Sequence, residues 1–196
     1  TFIVRPMQPL PAWQTARNHK LTLEEVLDGL VADGLVPSDA ARQLLAERRT
    51  ARADSHPLAV IAGKKWKSAQ PPRRPLHLEE LSEWLAAKVG LPYLHIDPLK
   101  VDFSAVTGLM SNEYAMRFKI LPVAVTATEA TIATAEPYLT QWARDLAQML
   151  RLEIRLVIAN PLDIARYATE FFNIARSVKR AVQERRGDVS GIGNFE

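Results

Sequence analysis

Between Leu78 and Phe172 the hydrophobic period changes repeatedly, and that order restricts the fold more than any other feature of the chain. Leu78, Leu81, Trp84, Leu85 and Val89 fall on one helical face, with Glu79, Glu80 and Glu83 off it, and Gly90 follows as a stop. Pro92–Ile96 reads as a short strand and Asp97-Pro98 as a turn. Ser111 is placed to cap a helix over Asn112–Lys119. Ile120–Val125 and Ala130–Ala135 are β-type runs joined by Thr126-Ala127-Thr128-Glu129, a hairpin spacing. A helix over 139–150, a strand over 154–158 and a long helix opened by Asn160-Pro161 complete the order β-α-ββ-α-β-α. The expected class is α+β: a compact sandwich-like domain with a mixed sheet and helices packed on it.

Upstream the signals are purely helical. Thr22 and Glu25 form a capping-box pair ahead of Leu23, Val26, Leu27, Leu30 and Val31, and Gly34 sits at a C-cap position. Pro37-Ser38-Asp39 opens a second helix bearing Ala40, Ala41, Leu44 and Leu45. The pair reads as an αα-hairpin. The resulting division is an arm (1–20, packing through Phe2, Ile3 and Trp13), a helical hairpin (21–63), a basic Pro-rich linker or loop (64–76), the α+β domain (77–175) and a connector (176–196).

Composition excludes several classes. With 0 Cys there are no disulfides and no thiolate metal sites. No apolar run reaches the roughly 18 residues of a membrane span. The net charge of +3 is uneven. Residues 1–76 hold 12 Lys/Arg against 7 Asp/Glu, 77–170 hold 8 against 12, and 171–196 hold 5 against 3, which argues for separate units rather than one nucleic-acid-binding surface. The chain begins at Thr1 without an initiator Met and reads as part of a longer protein.

Catalytic patterns are missing. No G-x-x-x-x-G-K-[ST] occurs, and Gly63-Lys64-Lys65 lacks both its spacing and the hydroxyl residue. His19, His56, His77 and His95 are scattered singly, without metal-ligand spacing. No catalytic residue, resident metal or cofactor is therefore assigned. Two candidate surfaces remain. Leu23, Val26, Leu30, Leu44 and Leu45 could face a partner across the helical hairpin, although a core role suits the same spacing. Arg48, Lys64, Lys65, Arg73 and Arg74 could contact an anion or nucleotide.

Four segments carry a family resemblance. Val89 to Asp102 resembles the "LGLPFVDLDPLKID" stretch of type II secretion ATPase N-terminal domains, and Met116 to Val123 resembles that family's "ARRYRVLPL". Ala133 to Pro137 stands at "AMADP", and Ile158 to Ile164 matches "LASPEDI". The hairpin also resembles the helical region that precedes this domain in type II secretion and type IV pilus assembly ATPases. The resemblance implies a docking or regulatory region that binds the cytoplasmic domain of an inner-membrane platform or a PilZ-type adaptor. The parent would be a cytoplasmic, peripherally membrane-associated homo-hexamer whose ATP and Mg belong to a motor domain beyond these residues. Some relatives bind cyclic di-GMP through a motif beginning R-L-G and ending in Gln; here those positions hold Glu25-Val26-Leu27 and Arg48. The alternative function, a cyclic di-GMP sensor regulating the same ATPase, has a carboxylate where the motif has an arginine.

Overall fold

The structure, a computed structural model, describes residues 18–48 and 55–190. Local chemistry sets most of the element ends. The first helix, α1 (Leu23–Ala32), starts at the expected capping box: Thr22 Oγ1 accepts from the Glu25 N–H at 3.2 Å, and the Glu25 carboxylate accepts from the Thr22 N–H at 2.9 Å. Burial pushes the Glu25 carboxyl upward, but the Thr22 N–H and the His19 ring outweigh it and hold it below its usual range. The cap thus contributes above the ordinary carboxylate range and is lost as pH falls through the lowered value. Thr22→Ala is expected to cost about 1 kcal/mol, read as a lowered urea midpoint; an unchanged midpoint would mean that the cap is not a stabilising contact.

α1 ends where Gly34 takes φ 70°, a left-handed turn open to glycine. Three further helices follow: α2 (Ser38–Arg48), α3 (Pro57–Gly63) and α4 (Leu78–Val89), the last closed by Gly90 at φ 69°. Next come a 3-10 turn at Pro98–Lys100, α5 (Phe103–Val106), α6 (Asn112–Phe118), β1 (Ile120–Val125), β2 (Glu129–Thr134), α7 (Gln141–Leu150), β3 (Glu153–Ile158) and α8 (Pro161–Ser190). Ser111 and Asn160 cap α6 and α8 through the Tyr114 and Leu162 N–H groups, as their positions predict.

The chain divides into two compact units: residues 1–93 with 136–145, and residues 94–135 with 146–196. In the first, Val26, Leu27, Leu30, Leu44, Leu58, Ile61, Leu81 and Leu85 are fully buried. The segment at 136–145 is held in that unit by polar contacts. Glu136, itself buried, accepts from the Leu21 N–H at 2.8 Å, and His56 Nε2 lies 3.8 Å from its other oxygen. Asn18 Oδ1 accepts from the Thr140 and Gln141 N–H groups. A buried carboxylate is tolerable only with partners of this kind.

In the second unit the sheet has the order β1-β2-β3, antiparallel between β1 and β2 and parallel between β2 and β3. A parallel pair needs a crossover, which runs through α7. Pro122 is tolerated because β1 is an edge strand, bulged between Pro122 and Ala124. One sheet face, with Leu121, Val123 and Ala133, packs against Ile164, Ala168 and Phe171 of α8 together with Ile96. The mixed sheet and helical cover give the expected α+β class.

Several expectations are corrected. Pro92–Ile96 forms no strand beyond a single bridge residue, Tyr93, and Leu94 donates its N–H to the Ile158 carbonyl at 2.8 Å. Of the two readings of residues 64–76, linker or loop, the structure has an ordered loop. They fold back on themselves through Ser68 N–H to Arg74 O and Leu76 N–H to Trp66 O, both 2.8 Å, and Ala69 N–H ties them to Leu35 O. Consequently α4 belongs with the first unit, the break falls after Tyr93, and the stretch 77–175 is not one body. Residues 176–190, expected as a connector, continue α8. The arm contacts of Phe2, Ile3 and Trp13, and the tail after Ser190, lie outside the described residues. No helix among the described residues is long and apolar enough to cross a membrane.

Candidate functional site

The five residues expected to face a partner across the helical hairpin are divided between core and surface. Val26, Leu30 and Leu44 are fully buried, and Leu23 and Leu45 are half-buried. Three of the five are therefore core residues of the first unit, and Leu44 also borders the floor of an open cleft.

The five expected anion contacts separate into two places in the first unit. Arg48 and Lys64 line an open cleft of about 470 Å³ with Glu47, Ala59 and Val60. Lys64 there is paired with Glu47, whose carboxyl the Lys64 ammonium holds below its usual range. Arg74 lines another cleft of about 290 Å³, walled by Gln70, Pro71, Leu81 and Trp84. Lys65 and Arg73 are exposed at left-handed turn positions, φ 55° and 52°, and line neither cleft. The five do not converge.

The wall of the second cleft is built closely. Trp84 Nε1 donates to Asp33 at 2.8 Å and Lys88 Nζ pairs with the same carboxylate at 2.7 Å. The Lys88 ammonium, then the indole N–H, lower the Asp33 carboxyl. The Trp84 ring lies against Gly29, where a Cβ would come within 2.9 Å of it. A Cβ on Gly34 would meet the Gln70 amide at 2.8 Å, and that amide donates to the Asp33 carbonyl at 2.7 Å. The two glycines therefore let the indole and the folded-back loop approach the α1 backbone.

At the motif positions, the Glu25 carboxylate is occupied by the cap of α1, and Leu27, which stands for a glycine, is 0% exposed. Neither is available to a ligand.

The second unit holds a surface that the sequence reading left unassigned. Ile164, Tyr167 and Phe171 turn one face of α8 to the sheet core. The same face continues through Ile174, Val178 and Val182, which are 43%, 49% and 46% exposed. The i, i+4, i+8 spacing was visible in the sequence, but nothing local to it tells where the sheet beneath the helix ends.

Comparison with known proteins agrees with this architecture. Residues 89–178 match the model of the MshEN domain. The chain is 36% identical over 155 residues to the type IV pilus assembly ATPase TfpB of Acinetobacter baylyi (strain ATCC 33305 / BD413 / ADP1), covering 78% of this chain and 26% of that protein. It thus spans about a quarter of the relative's length. Among solved structures, MshE with cdg aligns over 74% of this chain and 97% of its own at TM-score 0.54 and 20% identity, a likeness of fold. The N-terminal domain of XpsE aligns over 77% of this chain and 96% of its own at TM-score 0.45 and 19% identity. Residues 89–178 thus carry the MshEN match, and the chain as a whole is similar to about a quarter of a type IV pilus assembly ATPase.

Proposed function

We propose that this chain is the docking and regulatory region of a secretion or pilus assembly ATPase, bound by an inner-membrane platform or a PilZ-type adaptor. The observation that supports it is the core-facing stripe of α8, which continues uncovered through Ile174, Val178 and Val182. A helix whose apolar face outruns its own core offers i, i+4, i+8 anchors to a partner. In the full protein this docking would hold a hexameric motor at the membrane surface without inserting it. The test is biolayer interferometry of the chain against the cytoplasmic domain of the platform protein. Val178→Asp, at an exposed position, is expected to leave the circular dichroism unchanged and weaken binding at least tenfold. Undiminished binding by this variant would reject the stripe as the docking surface.

The second reading, a cyclic di-GMP sensor, draws on the MshE structure solved with cdg and on the cleft shared by Arg48 and Lys64. Against it stand the buried Leu27, the committed Glu25 and the Glu47 carboxylate already paired with Lys64. Calorimetric titration with cyclic di-GMP is expected to give no heat at ligand concentrations up to the millimolar range. Micromolar binding abolished by Lys64→Glu would instead make the first unit a sensor.

A further inference from the structure

The face of α8 on the far side from the apolar stripe borders a cleft of about 400 Å³ within the second unit. Arg176, Lys179 and Arg180 line it from α8, at i, i+3 and i+4, so their side chains leave one side of the helix together. Facing them are Thr107, Ser111 and Asn112, while Met110 and Phe172 supply apolar lining. Among the described residues no carboxylate pairs with any of the three cations, whereas Arg155 and Arg166 of the same unit are paired with Glu129 and Asp163. Three like charges brought together with no described carboxylate paired to them raise the local affinity for an anion.

A second observation comes from the opposite wall. Asn112 Oδ1 is buried and has no hydrogen-bond partner, the one such side-chain atom found among the described residues. Buried acceptors are nearly always satisfied, and an exception calls for a missing donor. Asn112 lines the cleft, and its terminal torsion is soft, so a modest rotation presents the oxygen to a ligand there. An anion without a hydroxyl, such as sulfate, has no donor to offer this oxygen. A phosphate ester with a hydroxyl beside it answers both walls.

We propose that this cleft binds a hydroxyl-bearing phosphate ester, with the phosphate held by Arg176, Lys179 and Arg180 and the hydroxyl donating to Asn112. The cleft lies on the second unit and shares no residue with the cyclic di-GMP motif positions or with the apolar stripe. Failure here therefore leaves the docking reading standing, and the reverse holds as well. The chemistry is common to a free metabolite and to a glycerophospholipid headgroup, so the experiment has two arms. In solution, the whole chain is titrated calorimetrically with glycerol 3-phosphate and with sulfate. At a surface, its flotation is measured with vesicles of phosphatidylcholine, with and without phosphatidylglycerol.

Binding in the first arm identifies a free ligand, and binding confined to the second identifies a headgroup. In whichever arm binds, the double reversal Arg176→Glu/Lys179→Glu is expected to lower affinity more than tenfold. Lys100→Glu, a charge reversal elsewhere on the unit, is expected to change it less than twofold. Asn112→Leu is expected to weaken glycerol 3-phosphate several-fold while sparing sulfate. Silence in both arms would overturn the proposal, as would equal losses from Lys100→Glu and the double reversal, which would reduce the effect to unspecific charge.

Discussion

Replacing Leu27 by Gly, which restores the residue type that the R-L-G motif carries, is expected to cost the first unit about 3–6 kcal/mol rather than give it a ligand. Two terms add. The leucine is fully buried in α1, and removing such a side chain from a packed core costs about 2–5 kcal/mol, set by how far the neighbours can close on the cavity. Glycine inside a helix adds about 1 kcal/mol relative to alanine. The side chain that displaces the motif glycine has become part of what holds α1 against the other helices. A single reversion thus removes structure without rebuilding a site, particularly as Glu25, at the arginine position, is held by Thr22 and His19. Urea unfolding with cyclic di-GMP titration alongside checks both halves. A loss below 1 kcal/mol, or micromolar binding by the variant, would show that the position is still poised for the ligand.

Phe171→Ala is expected to have a comparable effect on the second unit, about 3–5 kcal/mol. Phe171 is 3% exposed and lies in the cluster with Leu121, Val123, Ala133 and Ile164, stacked at 5.7 Å on Tyr167. It anchors α8 to the sheet, so its loss should also loosen the helix carrying the apolar stripe. Faster hydrogen exchange over α8 is the corresponding readout. Val178→Asp, one turn and more beyond the sheet-facing cluster, should leave exchange over Ile164–Phe171 unchanged, which separates a folding residue from a docking one.

The contrast between these positions shows what the sequence could disclose. Features closed by neighbours in the chain were legible. The Thr22/Glu25 capping box, the glycine stops at Gly34 and Gly90, and the Ser111 and Asn160 caps each complete their bonds within a few residues. The hairpin of β1 and β2 was legible too, because Thr126 accepts from the Thr128 and Glu129 N–H groups on its own turn. Residues 64–76 misled for the opposite reason. Their composition is that of a solvated linker, but their order comes from Leu35 and Asp33, more than thirty positions away. The same limit applied to the functional residues. Val26, Leu30 and Leu44 have the spacing of an amphipathic face, which is identical for a core and for a docking surface until the covering helix is known. Ile174, Val178 and Val182 show the same spacing with the outcome reversed.

The first unit is not a continuous stretch of polypeptide: it closes only when residues 136–145 return to it from beyond β2. Neither unit could be transplanted by a single crossover, because a gene truncated at Tyr93 would encode a body lacking Glu136, the acceptor of the Leu21 N–H. Recombination that exchanged only the helical portion, or only the stretch 89–178 that the MshEN description covers, would split this pairing. The two units are therefore bound to be inherited together, since Leu21, His56 and Asn18 depend on a stretch of their own unit that is encoded between the two halves of the other.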